Sequence, residues 1–223
     1  MQVKKRDGTL EDLNIDKLHK VVQYACEDIS GVSASQVEIN SNIQFYDGIA
    51  SEDVQETLIK SAADLISEET PNYQYVAGRL INYHLRKQVY GTFTPPCLCD
   101  IIQDNIDKGF YDAEFTDLYT KEDINELNDY INHERDEVLT YAAMEQFRGK
   151  YLVQNRASGE IFETPQVAYM MISATLFSKY PAETRLQYVK AYYDAISQFK
   201  LSLPTPIMAG VRTPQRQFSS CVL

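Results

Sequence analysis

The segment from Leu203 to Leu223 contains three prolines, and no continuous helix can pass through it. Each proline lacks a backbone N–H donor and disfavours helical geometry at the residue that precedes it. We therefore predict a loop with two exposed cations, Arg212 and Arg216, that leads into an apolar strand over Phe218–Leu223. Because the backbone groups of a strand need hydrogen-bonding partners, we expect this strand to pair with another segment, and the polypeptide to be part of something larger.

The composition excludes several classes of protein. With 223 residues, of which 44% are hydrophobic, the chain is long enough for one large core or two domains. Its formal net charge of −11 argues against a nucleic-acid-binding surface, which needs cations to neutralise phosphates. No apolar run approaches the roughly 18 residues of a membrane-spanning helix, and the N-terminus lacks the apolar core of a signal peptide. We expect a cytoplasmic protein that contacts neither nucleic acid nor membrane.

The four cysteines do not follow a metal-binding pattern. Cys97 and Cys99 form a C-x-C pair, which lacks the C-x-x-C spacing of a zinc knuckle and has no second pair to complete four ligands. The three histidines lie far apart in the sequence, so we expect no metal in this chain. Cys26 lies among apolar residues at helical spacing, which favours a buried, unreactive thiol.

Turn and cap residues predict a small β-hairpin and then helices in the first part of the chain. Asp7-Gly8 suits the turn of a hairpin between Val3–Lys5 and Leu10–Leu13. Three helices follow, predicted from their caps and from apolar residues at helical spacing. The first begins after Asn14 and ends near Gly31, the second begins at Ser51, and the third begins with Thr70 and Pro71 and ends before Gly91.

The adjacent prolines within Thr92–Pro96 interrupt this pattern and mark a predicted domain boundary. Beyond it we predict more helices and a second hairpin. The helix that starts at Pro165 is apolar on nearly every side, which implies burial on several sides. The predicted helices are Leu98–Lys108, Lys121–His133 with Thr120 as its cap, Glu137–Phe147, Pro165–Phe177 and a last one from Pro181, and the hairpin strands are Lys150–Asn155 and Glu160–Glu163.

A group of cations and helix-start residues near the N-terminus is a candidate anion site. Lys5 and Arg6 on the hairpin, with Lys17 in the first helical turn, would come close to free N–H groups at the helix start. Such a combination suits the phosphates of a nucleotide. Neither a Walker A pattern nor G-x-G-x-x-G is present, and from spacing alone solvated charges on an acidic surface are the favoured interpretation. The other members of the candidate group are Glu11, Asn14, Ser51 and Lys87.

Longer stretches resemble one family. VKKRDGTLEDLNIDKL resembles the start of an ATP cone, the regulatory nucleotide domain at the front of many ribonucleotide reductase large subunits. The resemblance continues through IQFYDGIASEDVQETLIKSAADLI and PNYQYVAGRLINYHLRKQVYG. It extends to KYLVQNRASGEIFETPQ and TRLQYVKAYYDAISQFKLSLPTPIMAGVRTPQRQFSSCVL. Nearly from end to end, the sequence is similar to the first part of the class Ia large subunit of bacteria and large phages.

The resemblance implies a mainly α fold with small β elements, arranged in three parts. Residues 1–91 would form the ATP cone, and residues 92–200 a helical domain with one β-hairpin. Residues 201–223 would form a substrate loop and the first strand of a ten-stranded α/β barrel completed elsewhere. We therefore expect either a fragment or one half of a large subunit encoded as two chains.

In this family the cone binds ATP or dATP as an allosteric effector. Many members that dATP inhibits have a histidine where this chain has Gln55, whereas Asp53, also tied to inhibition, is present. The resemblance thus implies binding of adenine nucleotides without inhibition by dATP. The residues that match the family's nucleotide contacts are Lys5, Arg6, Glu11, Asp12, Leu13, Asn14, Ile15, Asp16, Lys17, Ser51 and Lys87.

Cys221 is the candidate catalytic residue. A lone cysteine on an apolar strand is more often a structural thiol. The resemblance reverses this interpretation, because SSC matches the site of one of two cysteines that reduce the ribose and end as a disulfide. Thr205 and Ser220 match positions that hydrogen-bond the substrate, although both hydroxyls could instead cap local turns. The partner cysteine and the remaining catalytic residues would lie beyond Leu223.

The implied activity is the conversion of ribonucleoside diphosphates to deoxyribonucleoside diphosphates by a thiyl radical, for DNA synthesis. The implied partners are the C-terminal portion of the large subunit, a small subunit with a di-iron centre and a tyrosyl radical, and thioredoxin or glutaredoxin. This chain alone should have no turnover, and its location would be the host cytoplasm if a phage encodes it. Two alternatives stay open: a stand-alone regulator that senses ATP or dATP, and a structural assembly partner with a vestigial nucleotide site.

Overall fold

The computed structural model describes residues 1–5, 8–42 and 44–220. Their contacts divide the chain into two compact units. The first comprises the described residues of Met1–Leu85 together with Glu137–Glu145. The second comprises Arg86–Asp136 and the described residues from Gln146 onward.

A three-stranded sheet opens the first unit. Its strands are β1 (Gln2–Lys4), β2 (Leu10–Asp12) and β3 (Ile49–Ala50), in the order β2-β1-β3. β1 pairs with β2 in antiparallel register and with β3 in parallel register. The predicted hairpin is confirmed, and Gly8 has the positive φ of 85° that its turn requires. Asp7, the other predicted turn residue, lies outside the described residues.

Helices contribute most of the first unit's core. Asn14 caps α1 (Ile15–Cys26) by accepting a hydrogen bond from the backbone N–H of Lys17, as predicted. α1 ends five residues before Gly31, and the predicted start of α3 at Ser51 is confirmed. The other helices are α2 (Ala34–Asn42), α3 (Ser51–Ala63) and α4 (Tyr73–Tyr90), of which α4 belongs to the first unit up to Leu85.

The second unit consists of helices and connecting segments. α9 (Pro165–Leu176) packs against α10 (Ala182–Ser197) and α11 (Thr205–Gly210), and α7 (Lys121–Tyr130) packs against α5 (Leu98–Asp107) and α10. The predicted cap Thr120 is confirmed, and it forms a capping box in which Thr120 and Asp123 exchange hydrogen bonds at the start of α7. Every residue from Pro165 to Ala174 is buried, as the apolar pattern predicted. The helices are α5 (Leu98–Asp107), α6 (Phe115–Leu118), α7 (Lys121–Tyr130), α9 (Pro165–Leu176), α10 (Ala182–Ser197) and α11 (Thr205–Gly210).

Two predicted elements differ in the structure. The helix predicted over Glu137–Phe147 is divided into a 3₁₀ helix (His133–Val138), α8 (Tyr141–Gln146) and a π-helical turn (Phe147–Tyr151). The second hairpin is reduced to one antiparallel bridge between Gln154 and Ile161. α2 was not predicted, because Val37 is its one buried apolar side chain and leaves no stripe to detect.

The closing segment contradicts two predictions. α11 begins at Thr205 with Pro206 in its first turn, where the missing N–H of proline has no helical partner to lose. Arg212, predicted as an exposed cation, is 1% exposed, whereas Arg216 is exposed as predicted. Phe218–Ser220 form no strand in the described part of the chain, and the rest of the predicted strand lies outside it.

These observations confirm a mainly α fold with small β elements. Completion of a barrel, and the three predicted domain boundaries, stay predictions.

Candidate nucleotide pocket

Strand pairing brings the end of β1 to the start of α3. β1 and β3 run parallel with Lys4 opposite Ala50, so Lys5 and Ser51 follow side by side along the two strands. β3 continues into α3 without a loop. Ala50, the residue before α3, provides no side-chain cap to the start of that helix.

A cavity of about 250 Å³ lies in the first unit beside these elements. The first turns of both α1 and α3 line it, so the partial positive charge of two helix N-termini is directed towards it. This arrangement favours an anionic ligand. Its polar wall contains Lys5, Glu11, Asp12, Asn14, Lys17, Ser51 and Gln55, and its apolar wall contains Val3, Leu13, Leu18, Val21, Val54 and Tyr83.

The ion pair between Lys5 and Glu11 in the cavity can give way to a ligand. Lys5 Nζ lies 3.0 Å from Glu11 Oε2, and the side chains are 39% and 58% exposed. An exposed pair of this kind contributes about 0–1 kcal/mol, so a phosphate can replace the carboxylate as the partner of Lys5 at low cost. Burial raises the pKa of Tyr83, which keeps its phenol neutral on the apolar side of the cavity.

The cavity brings together seven of the residues proposed for nucleotide binding: Lys5, Glu11, Asp12, Leu13, Asn14, Lys17 and Ser51. Ile15 and Asp16 are exposed and do not line it. Lys87, in the last turn of α4, belongs to the second unit, and Arg6 lies outside the described residues. The role of each residue in binding stays a prediction.

Sequence reasoning missed the apolar wall of the cavity apart from Leu13. Leu18, Val21 and Val54 lie on the buried faces of their helices, but helical spacing cannot tell which part of a buried face borders a cavity. Tyr83 carried no signal of its own, because it is one of 16 tyrosines in the chain.

The second candidate site is described only in part. Thr205 is the first residue of α11, and its side chain is exposed, as is that of Ser220. Cys221 lies outside the described residues. The substrate and redox roles of these residues stay predictions.

A buried ion pair holds the segment that carries Thr205. The guanidinium of Arg212 donates two hydrogen bonds to Glu163, through Nε to Oε2 at 2.8 Å and through Nη2 to Oε1, and both side chains are fully buried. Arg212 also donates to the carbonyl of Met208 in α11 at 2.6 Å and to that of Tyr151 at 2.9 Å. Tyr111 donates its hydroxyl to Glu163 at 2.5 Å. Arg212 therefore anchors α11 to the end of the π-helical turn.

The described part of the chain contains neither a metal-binding cluster nor a membrane-spanning helix. Within residues 1–5, 8–42 and 44–220, no group of three histidine, cysteine, aspartate or glutamate side chains could hold a metal ion. Among the helices of the described residues, none is long and apolar enough to cross a membrane.

Cys26, predicted as buried, is half-buried, and burial is the main cause that raises its pKa to about 11.

Two domain families match the chain. Residues 1–88 match the ATP cone domain, which indicates binding of a nucleotide effector, and the cavity lies within this range. Residues 137–216 match the all-alpha domain of ribonucleotide reductase.

Named relatives match the chain over almost its whole length. It is 56% identical over 221 residues to ribonucleoside-diphosphate reductase 1 subunit alpha of Escherichia coli strain K12, covering 99% of this chain and 29% of that protein. It is 56% identical over 223 residues to the alpha subunit of Haemophilus influenzae, covering 100% of this chain and 30% of that protein. The alpha subunit of Enterobacteria phage T4 is 43% identical over 225 residues, with 100% of this chain and 29% of that protein covered.

The chain thus spans less than a third of the length of these relatives. The two matched domains and the level of identity lead to one conclusion. The chain belongs to the ribonucleotide reductase family and is homologous to the N-terminal part of ribonucleoside-diphosphate reductase alpha subunits.

Proposed function

We propose that the first unit binds ATP and dATP as effectors in the cavity between α1 and α3. The observation that supports this proposal is the meeting of two helix N-termini with Lys5 and Lys17 in one cavity of an ATP cone domain. Lys5 and the N–H groups of α3 would hold the phosphates. The apolar wall, which includes Tyr83, would hold the base.

Replacement of Lys5 with glutamine should weaken binding of ATP and dATP by about tenfold to hundredfold. A hydrogen bond to a charged group contributes about 1.5–3 kcal/mol, and each 1.4 kcal/mol is a factor of ten in the dissociation constant. Isothermal titration calorimetry of the full chain with each nucleotide measures this loss. Lys20→Gln is the matched control, because it removes the same charge from an exposed position of α1 that does not line the cavity. The absence of heat with both nucleotides, or equal losses in the two variants, would contradict the proposal.

We also propose that the chain supplies the substrate loop of a ribonucleoside-diphosphate reductase. Its relatives carry that name and extend well beyond the region that matches this chain. Thr205 and Ser220 would hydrogen-bond the substrate, and Cys221 would give up one thiol hydrogen as it forms a disulfide with a second cysteine. The two thiols together supply the two electrons that the ribose needs, and their oxidation forms one S–S bond.

Partners complete this proposal. The remaining portion of the alpha subunit would supply the second cysteine, and thioredoxin or glutaredoxin would reduce the disulfide. A small subunit with a di-iron centre and a tyrosyl radical would start the radical chemistry. With glutamine at position 55, where many members that dATP inhibits have a histidine, we expect no inhibition by dATP.

Reduction of CDP should appear only when this chain is combined with the remaining alpha-subunit portion, the small subunit and a dithiol reductant. Cys221→Ser should abolish turnover, because a serine cannot form the disulfide. Cys26→Ser is the matched control, since this half-buried thiol is placed in α1 of the other unit. Nucleotide binding without turnover in the joint sample would instead favour a stand-alone regulator, and unchanged turnover of Cys221→Ser would refute the role of that thiol.

A further inference from the structure

Two thiols face each other at the start of α5. Cys97 Sγ lies 3.2 Å from Cys99 Sγ and donates a hydrogen bond to it. Cys99 Sγ in turn contacts Asp100 Oδ1 at 3.7 Å. Both cysteines are free thiols and are partly exposed, so small reagents in solution can reach them.

The backbone holds these two sulfurs in place. Cys97 is the N-cap of α5, with the extended φ of −57° and ψ of 139°, and Cys99 lies in the first helical turn. The carbonyl of Cys97 accepts backbone hydrogen bonds from Asp100 and Ile101 at 3.0 and 3.2 Å. The N–H of Leu98 donates to Asn128 Oδ1 of α7 at 2.9 Å. The backbone that carries both cysteines is therefore held in one conformation, which favours closeness of the two sulfurs.

We propose that Cys97 and Cys99 are a redox-active dithiol that closes a reversible disulfide by exchange with a small-molecule disulfide such as oxidised glutathione. The sulfurs need to approach by only about 1 Å, because an S–S bond is about 2.05 Å long. This activity is independent of the nucleotide cavity and of Cys221.

The exchange has two balanced steps. The thiolate of one cysteine attacks a sulfur of oxidised glutathione, forms a mixed disulfide with the protein and releases one glutathione thiolate. The thiolate of the other cysteine then attacks the protein sulfur of that mixed disulfide, closes the Cys97–Cys99 bond and releases the second glutathione. The two protons of the protein thiols pass to the two glutathione thiolates, so the protein loses two electrons and glutathione gains them.

The same geometry explains why the bond should be reversible. The loop that it closes has three residues, so it gains little from restricting the unfolded chain. The adjacent Cys97 thiol and burial raise the pKa of Cys99 to about 11, so exchange should be faster in mildly alkaline buffer, where more thiolate forms.

The test uses a Cys26→Ser/Cys221→Ser variant of the full chain, in which Cys97 and Cys99 are the remaining cysteines. The protein is equilibrated with oxidised and reduced glutathione at a series of ratios, quenched in acid, alkylated and analysed by mass spectrometry. The expected product has lost two hydrogen atoms, carries no alkyl group on either cysteine, and returns to the dithiol when reduced glutathione or a dithiol reductant is added. The further substitution Cys97→Ser or Cys99→Ser should give only the mixed disulfide with glutathione.

Three outcomes would overturn the proposal: both thiols remain alkylated at every ratio, each cysteine carries its own glutathione, or the disulfide links two chains. Phenylarsine oxide, which bridges two nearby thiols, gives a second measurement. It should bind one equivalent of the dithiol protein and should be displaced by a competing small dithiol. If the single-cysteine variants bound phenylarsine oxide as tightly as the dithiol protein does, the two sulfurs would not act as a pair.

Discussion

Replacement of Glu163 with glutamine should lower the free energy of unfolding of the second unit by about 3–5 kcal/mol. The change keeps the shape of the side chain but removes the carboxylate that accepts two hydrogen bonds from Arg212. Because Arg212 is fully buried, its positive charge would be left without a counter-ion away from water. Urea denaturation followed by far-ultraviolet circular dichroism measures the loss. Hydrogen exchange of α11 should accelerate as well, since Arg212 holds the carbonyl of Met208.

Two controls distinguish the effect of breaking a buried ion pair from a loss of stability that any substitution in this segment would cause. Arg216 lies 2.7 Å from Asp112 but is 64% exposed, so Arg216→Gln should cost no more than about 1 kcal/mol. In the double variant Glu163→Gln/Arg212→Met no charge is left unpaired. The decrease in its free energy of unfolding should therefore be smaller than the sum of the decreases in the two single variants. Equal effects of Glu163→Gln and Arg216→Gln, or additive losses in the double variant, would contradict this account.

The substitution Gly78→Ala should destabilise the first unit by about 1–3 kcal/mol or more. This sign is opposite to the one that helix propensity alone predicts. Alanine in a helix interior is normally favoured over glycine by about 0.5–1 kcal/mol. At position 78 of α4, however, a Cβ atom would lie 2.0 Å from the carbonyl oxygen of Leu139 and 3.0 Å from the carbonyl carbon of Thr140. Both atoms belong to backbone, so the segment Glu137–Glu145 would have to move away from α4.

The neighbouring contacts make this displacement costly. Arg79 Nε donates to the carbonyl of Glu137 at 3.3 Å, and Leu139 is 2% exposed. Gly149→Ala is the matched control, because a Cβ at that position meets nothing within 4 Å. It should leave stability unchanged or raise it by up to about 1 kcal/mol. Thermal unfolding of the two variants decides the matter, and a Gly78→Ala protein as stable as the unsubstituted chain would contradict the close approach of α4 to Leu139.

The contrast between α1 and α11 shows which features of the fold can be predicted from sequence. α1 has a local cap in Asn14 and a regular apolar stripe, and both signals act within one helix. α11 is short, and Pro204 and Pro206 were interpreted as helix breakers, although Pro204 precedes the helix and Pro206 occupies its first turn, where proline is tolerated. Local sequence rules therefore succeed where a helix is specified by its own residues.

Arg212 and Gly78 show what such rules cannot reach. A charged side chain in a loop is exposed by default, and Arg212 is buried only because Glu163, distant in sequence, provides its counter-ion. Nothing near Gly78 in the sequence indicates that a carbonyl of residue 139 will approach it. The candidate site divides in the same way: its charged residues were predicted, whereas its apolar wall depends on how β1, β3 and the helices pack.

The parallel pairing of β1 with β3 has a thermodynamic consequence. Lys5 and Ser51 are far apart in the sequence and become neighbours only when these two strands pair. The cavity thus has no counterpart in the unfolded chain, and a ligand that occupies it binds the folded state alone. Folding and ligand occupancy of this unit are then linked equilibria, and a ligand at a hundred times its dissociation constant would add about 2.7 kcal/mol to the stability of the fold.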